Sequence, residues 1–290
     1  MNYRVTHRTT YEYAEPVAVS HHAARVEPRA TNVQSRSDWR LVITPEPAVQ
    51  MQRPDFFGNR VCFFAIQELH AKLEVTATSV VSVEARALPA PGLSEPWDEV
   101  ARRYRDPVAP EAIKALQYVY GSPLVQPQPE FAEYARESFP EGRPLLEGVL
   151  DLNRRIHADF AYDPVATTVA TPLVEVWKSR RGVCQDFAHI AIACLRSLGL
   201  PASYVSGYLR TRPPAGQARL VGADATHAWF AVHCPSLGWV DFDPTNNCQL
   251  SDEHITVAYG RDFSDVSPVM GILTGGGSHT VKVAVDVEPL

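Results

Sequence analysis

The chain lacks the signatures of most familiar catalytic machineries. It has no Gly-rich phosphate loop ending in Gly-Lys-Ser or Gly-Lys-Thr, no Gly-x-Ser-x-Gly elbow and no EF-hand loop, so nothing in it suggests calcium activation. Its ten histidines include no His-x-x-x-His or His-x-His pair. The adjacent His21 and His22 would point to opposite faces of a strand, so no metal and no other cofactor is expected. Cysteine is scarce and odd in number, at five residues without short paired spacing. That argues against a disulfide framework and for a reducing compartment. Positive charge is in deficit, with 27 Lys and Arg against 33 Asp and Glu. At a net charge of −6, neither nucleic acid nor an anionic membrane is expected as a partner. No apolar run approaches the roughly 18 residues of a membrane span, and the opening Met-Asn-Tyr-Arg-Val-Thr-His-Arg has no apolar h-region. A soluble cytoplasmic protein is the expectation.

What is present suits two domains: 290 residues, 45% of them hydrophobic. Tyr3, Val5, His7, Thr9, Tyr11 and Tyr13 alternate with charged or small residues as in a strand, and stretches 39–43, 60–69 and 73–83 continue a β-rich pattern. Leu88 to Pro96 is the clearest linker. Helical spacing interrupted by proline follows over 97–120 and 130–160. The reading is an α+β chain: a β-rich, sandwich-like domain over 1–90, a helical connector over 91–143, a core over 144–272, and a closing strand over 273–290. In that strand Val281, Val283, Val285 and Val287 alternate strictly, after a Gly275-Gly276-Gly277 hinge. It is expected to pair with the N-terminal sheet or with a second subunit, which would make a homo-oligomer.

The chemistry centres on Cys184. After it, Phe187, Ile190, Ala191, Cys194, Leu195 and Leu198 recur at three- and four-residue intervals, the mark of one buried helical face. Gly199 and Pro201 stop the helix. Gly182 and Val183 are poor helix formers, so Cys184 falls in the first turn. There unsatisfied amides and the helix dipole favour a thiolate, the nucleophilic form. Arg180 and Arg181 assist, while Asp186 opposes. A neighbouring imidazolium would outweigh all three.

An imidazole and a carboxylate lie on one predicted hairpin. Residues 227–234 and 239–243 read as its strands and Pro235-Ser236-Leu237-Gly238 as its turn. Side-chain parity makes this testable. A four-residue loop would pair Cys234 with Trp239 and put Asp243 on the face opposite His227. An odd loop or a bulge would put Asp243 opposite Trp229 and diagonal to His227, within reach of a hydrogen bond. Asp241 shares that face one pair farther off.

The ordered segments Gly182-Val183-Cys184-Gln185-Asp186-Phe187-Ala188-His189, Tyr204 to Leu209, His227-Ala228-Trp229 and Gly238-Trp239-Val240-Asp241-Phe242-Asp243-Pro244-Thr245-Asn246 resemble the bacterial transglutaminase-like superfamily. Tyr11 to Val17, Pro28-Arg29 and Asp55 to Asn59 resemble the β-domain that precedes its papain-like core, and Tyr259 to Pro268 resemble its C-terminal end. The resemblance implies Cys184 as nucleophile, His227 as general base and acid, and Asp243 as orienter. For the oxyanion or the substrate, Gln185, Trp177, Tyr162 and Tyr208 are candidates beside the Cys184 amide. Lys178 and Trp177 stand where papain-like enzymes and transglutaminases carry an oxyanion donor, although Trp177 is equally explained as a core aromatic.

Plainer readings stand beside these. Cysteines are commonly core residues; Cys62, Cys194 and Cys234 read so, and Cys248 as a surface thiol. His189 lies about 140° around the helix from Cys184 and reads as structural. Asp243 is also placed to cap the Asp-Pro-Thr-Asn turn. Arg210, Arg212 and Arg219 would suit an acidic substrate, or simply solvation. The expected reaction is acyl transfer from an amide of a peptide or protein through a thioester, with hydrolysis favoured slightly over transamidation. A catalytically silent binding scaffold and an acetyl-type acyltransferase are the alternatives.

Overall fold

The computed structural model describes residues 1–84, 90–107, 109–211 and 225–290. The chain begins with β1 (Asn2–Ala24), β2 (Gln34–Thr44), β3 (Val49–Pro54), β4 (Arg60–Ile66) and β5 (His70–Val83). Helices α1 (Trp97–Arg105), α2 (Pro110–Leu116), α3 (Pro129–Arg136) and α4 (Leu145–Asp159) follow, then β6 (Ala161–Tyr162), α5 (Leu173–Ser179), β7 (Arg181–Gly182) and α6 (Cys184–Ser197). Next come β8 (Ala202–Leu209), β9 (Ala225–Cys234), β10 (Gly238–Asp243), β11 (Cys248–Gln249) and β12 (His254–Gly260). The chain closes with α7 (Phe263–Val266), β13 (Val269–Gly275) and β14 (His279–Pro289). Among the described residues no helix is long and apolar enough to cross a membrane.

The alternating residues of β1 build the first sheet. Its first half pairs with β5 and β14, its second half with β4 and β13, and the register shifts between Glu12 and Val17. One seven-stranded sheet results, whose strands enclose an apolar cluster that includes Val17, Cys62, Phe64, Ile66, Leu73 and Val75. The last strands of the chain therefore complete the first sheet, and the expected boundary at residue 272 falls inside β13.

The second sheet is antiparallel, in the order β11-β10-β9-β8-β12, and α6 packs on β8 and β9. The spacing predicts one apolar face for α6, yet everything from Asp186 to Arg196 is buried. The reason is that α3, α4 and α5 cover the side turned away from the sheet. Its buried polar groups are accordingly bonded. Arg196 donates to the carbonyls of Ala202 and Arg261 and to the Ser122 hydroxyl, and His189 Nε2 accepts the Phe263 amide. Neutral imidazole suits that acceptor role, and burial holds the His189 pKa down at about 4.

The two sheets are joined by side chains that imitate a strand. β12 is an edge, with unpaired backbone groups that need partners. Gln34 Oε1 accepts the Thr256 amide at 2.9 Å while Gln34 Nε2 donates to the Thr256 carbonyl at 2.8 Å. Asn59 does the same to Tyr259, at 2.9 and 2.8 Å. Arg29 and Asp55, in the segments that resemble the family's β-domain, brace Asn59. Tyr3, Val5, Val81 and Val83 then join the core's own apolar cluster. Asn59→Leu removes hydrogen bonds to two half-buried backbone groups of the sheet edge. It is expected to lower the unfolding free energy by about 2–3 kcal/mol, read by urea denaturation.

Candidate active site

Cys184 is the first residue of α6. Val183 has no side-chain acceptor to cap the helix. Instead the Asp186 carboxylate reaches back to accept the Val183 amide at 2.8 Å and the Thr167 hydroxyl at 2.7 Å. Gly182 makes room for this, since a Cβ there would stand 2.5 Å from an Asp186 carboxylate oxygen. Asp186, expected to oppose a thiolate, is thus engaged in the helix cap, and burial pushes its pKa up. The two arginines expected to assist are engaged elsewhere. Arg180 lies over the Trp177 ring at 3.6 Å, and Arg181 pairs with Asp163 at 3.0 Å.

The hairpin takes the odd loop. Gly238 pairs with Cys234, which leaves Pro235, Ser236 and Leu237 as the connection. Gly238 at φ +76° supplies the left-handed residue such a loop requires. Asp243 follows the Phe242–Phe230 pair, so it stands level with Trp229 and diagonal to His227. The diagonal closes: His227 Nε2 lies 2.7 Å from Asp243 Oδ2. Asp241 instead accepts the Trp229 indole N–H at 3.2 Å.

Asp243 is fully buried and surrounded by donors. Its Oδ1 accepts the amides of Thr245 and Asn246, at 2.9 and 3.1 Å. Its Oδ2 accepts Asn246 Nδ2 at 2.6 Å and His254 Nε2 at 3.2 Å, besides His227. The Ser251 amide donates to His254 Nδ1, which leaves the ring proton on Nε2, facing the carboxylate. Burial alone would raise the Asp243 pKa, but these partners reverse it and hold the carboxyl far below its usual range.

Cys184 and His227 line the same cavity, and the Cys184 sulfur is among the groups that act on the His227 ring. Because Nε2 faces Asp243, Nδ1 is the nitrogen left to serve the thiol. Burial works against a charged imidazole here. Asp243 and the Cys184 sulfur outweigh it and carry the His227 pKa up to about 10. The donor atoms of His227, Asp243 and His254 also fall within 4.8 Å of one another, close enough to raise the question of a metal. The donor chemistry argues otherwise: His254 Nε2 carries its proton, and 2.7 Å is hydrogen-bond contact, tighter than two ligands on one ion sit.

Cys184 and His227 open onto a cavity of about 480 Å³. Gln185 lines it beside them. Tyr162, paired in register with Gly182, is close enough that burial and then the Cys184 sulfur push its phenol pKa up. The structure does not bring the other two candidates there. Trp177 sits among Phe131, Tyr134 and Phe160, stacked under Arg180. Tyr208 is buried with its hydroxyl on His7 Nδ1, behind the cavity wall. Arg210 pairs with Glu253, and Arg212 and Arg219 lie outside the described residues. Sequence reasoning missed His254 and the part played by Asn246, although Asn246 stands at the end of the Gly238–Asn246 motif. It also missed the far wall of the cavity, formed by the first sheet. A lone histidine opening an apolar run was the sole local trace of His254.

Residues 132–244 match the model of the transglutaminase-like superfamily, and residues 3–82 match that of the bacterial transglutaminase-like N-terminal region. An uncharacterized protein of Mycobacterium tuberculosis is 41% identical over 99% of this chain and 92% of its own length. The chain belongs to the transglutaminase-like superfamily. A second uncharacterized relative, from Mycobacterium leprae, is 31% identical over 99% of this chain and 98% of its own. The fold extends to a crystal structure from Cytophaga hutchinsonii, described as a candidate cysteine protease. It matches with a TM-score of 0.78 at 21% identity, over 99% of this chain and 90% of that one. A transglutaminase-like, papain-like core behind an N-terminal β-domain is therefore the architecture.

The His227–Asp243 pair links stability to pH in a definite sense. The folded pKa of His227, about 10, lies above the ordinary 6.5, so its contribution is complete below pH 6.5 and lost as pH rises toward 10. That of Asp243 lies below 3.8, so its contribution is present above that pH and lost on acidification. Asp243→Asn is expected to cost about 3–5 kcal/mol at neutral pH and to flatten the decline between pH 6.5 and 10. Urea unfolding as a function of pH measures both.

Proposed function

We propose that the protein is a cysteine-nucleophile amidase or peptidase acting on amides of peptide or protein substrates. The observation that carries this is that Cys184, at a helix N-terminus, shares one cavity with His227, whose ring is held by the buried Asp243 carboxylate at 2.7 Å. An imidazolium in that cavity stands ready as a general acid.

In the proposed reaction the Cys184 thiolate attacks the amide carbonyl carbon, and the carbonyl electrons move to oxygen. The oxyanion is met by the Cys184 amide, which at a helix start has no intrahelical acceptor, with the Gln185 side chain and the Tyr162 phenol as further donors. His227 passes its Nδ1 proton to the departing nitrogen, the C–N bond breaks, and a thioester remains. Water then attacks the thioester, His227 takes back a proton, and the thiolate leaves with the acid released. Cys184 is half-buried and Tyr162 beside it is exposed, so water has access to the thioester; this favours hydrolysis over transfer to an amine.

The remaining thiols are poor competitors. Cys62, Cys194 and Cys234 are buried, and burial with the Asp243 charge pushes Cys248 up to about 11. Iodoacetamide at neutral pH is expected to label Cys184 first and nearly alone, and Cys184→Ala to abolish that labelling, as read by peptide mass spectrometry. Faster reaction at Cys62 or Cys248 would contradict the assignment. Incubation with peptide amides should yield a Cys184 acyl adduct that decays to the free acid. A product joined to added amine would instead establish transamidation, and no adduct from any acyl donor would favour a silent scaffold.

A further inference from the structure

The cavity in front of Cys184 has two sides of different origin. The core supplies Cys184 and His227; the first sheet supplies Tyr11, Val269, Val281 and Val283. Along β14 the valines share one face of the strand. Val285 and Val287 are 1% and 0% exposed, sealed into the core cluster. Val281 and Val283 continue that face into the cavity and are 47% and 53% exposed. Half of one apolar strand face is thus covered by protein, and the other half lies open in the same cavity as the candidate nucleophile.

No Asp, Glu, Lys or Arg lines this cavity among the described residues. The polar groups on the sheet side are neutral and already partnered. His7 is buried, with Nδ1 bonded to Tyr208 and Nε2 to Thr9, and burial holds its pKa down at about 4. On the sheet side a charged side chain would lose water and find no counter-charge, because the cation at His227 lies on the opposite side and is already paired with Asp243, whereas an apolar one would cover Val281 and Val283.

Building on the acyl-transfer reading, we propose that the N-terminal sheet is the specificity wall: Val281 and Val283 select an acyl donor whose side chain beside the reacting carbonyl is uncharged and apolar. The domain ahead of the core is then half of the substrate site, and β14 carries the end of the chain back to complete it.

The test uses the full-length protein and three peptidyl chloromethyl ketones with leucine, glutamate or arginine beside the reactive carbon. Alkylation of Cys184, in which the thiolate displaces chloride, is followed by intact-protein mass spectrometry. Each rate is normalised to that of iodoacetamide on the same protein. The leucine probe is expected to exceed both charged probes by about tenfold or more, the size of effect that one apolar pocket contact supports. Val283→Asp is expected to lower the leucine-to-arginine ratio by about tenfold or more, and Val281→Asp to move it the same way. Equal rates for all three probes on the natural protein would overturn the proposal, as would ratios that neither variant moves. Failure of iodoacetamide itself to label Cys184 would instead count against the acyl-transfer reading.

Discussion

The buried carboxylate of Asp243 is the constraint around which the rest of the site is arranged. A bare carboxylate without water is costly, and this one is made tolerable by two backbone amides, one carboxamide and two imidazoles. The five donors come from three local devices. The Asp-Pro-Thr-Asn turn presents the amides and Asn246, the hairpin register presents His227, and Ser251 fixes the tautomer by which β12 presents His254. The charge so stabilised raises the pKa of His227, which lines the same cavity as Cys184. The His227 ring thus takes its electrostatics from a residue with no solvent exposure.

The same economy recurs at the larger scale. β12 is at once the strand that carries His254 and the sheet edge to which Gln34 and Asn59 attach the N-terminal sheet. Docking of the β-domain, the position of the second imidazole and the far wall of the cavity therefore share one element. A family relationship over the core alone would not reveal that linkage. It becomes visible because β13 and β14 return to β1 after the core is complete.

What was legible in the sequence was local. Helix spacing put Cys184 in a first turn, and it is the first helical residue. Parity reduced the hairpin to two registers, of which the odd loop is present because Gly238 can adopt a positive φ. The α+β architecture and the superfamily were legible from ordered motifs, and the matches to both family models agree. What escaped was set by contacts distant in sequence. His254 meets Asp243 through a fold in which β8 lies between β12 and β9, and Val281 meets the cavity only because β14 pairs with β1. The charges near Cys184 were legible, but the partners that occupy them were not. Asp186 caps its own helix, and Arg180 turns onto Trp177. The apolar stripe of α6 likewise underestimated its burial, because Arg196 and His189 satisfy their polar atoms inside the core.

The proposed chemistry depends on His227 staying charged where an ordinary histidine is neutral. The most direct measurement is a nuclear magnetic resonance titration of ring-¹⁵N-labelled histidine, with the His227 signals identified by their loss in His227→Gln. Both ring nitrogens of His227 should remain protonated through pH 8 and release a proton only near pH 10. Titration of His227 near the ordinary value of 6.5 would contradict the account.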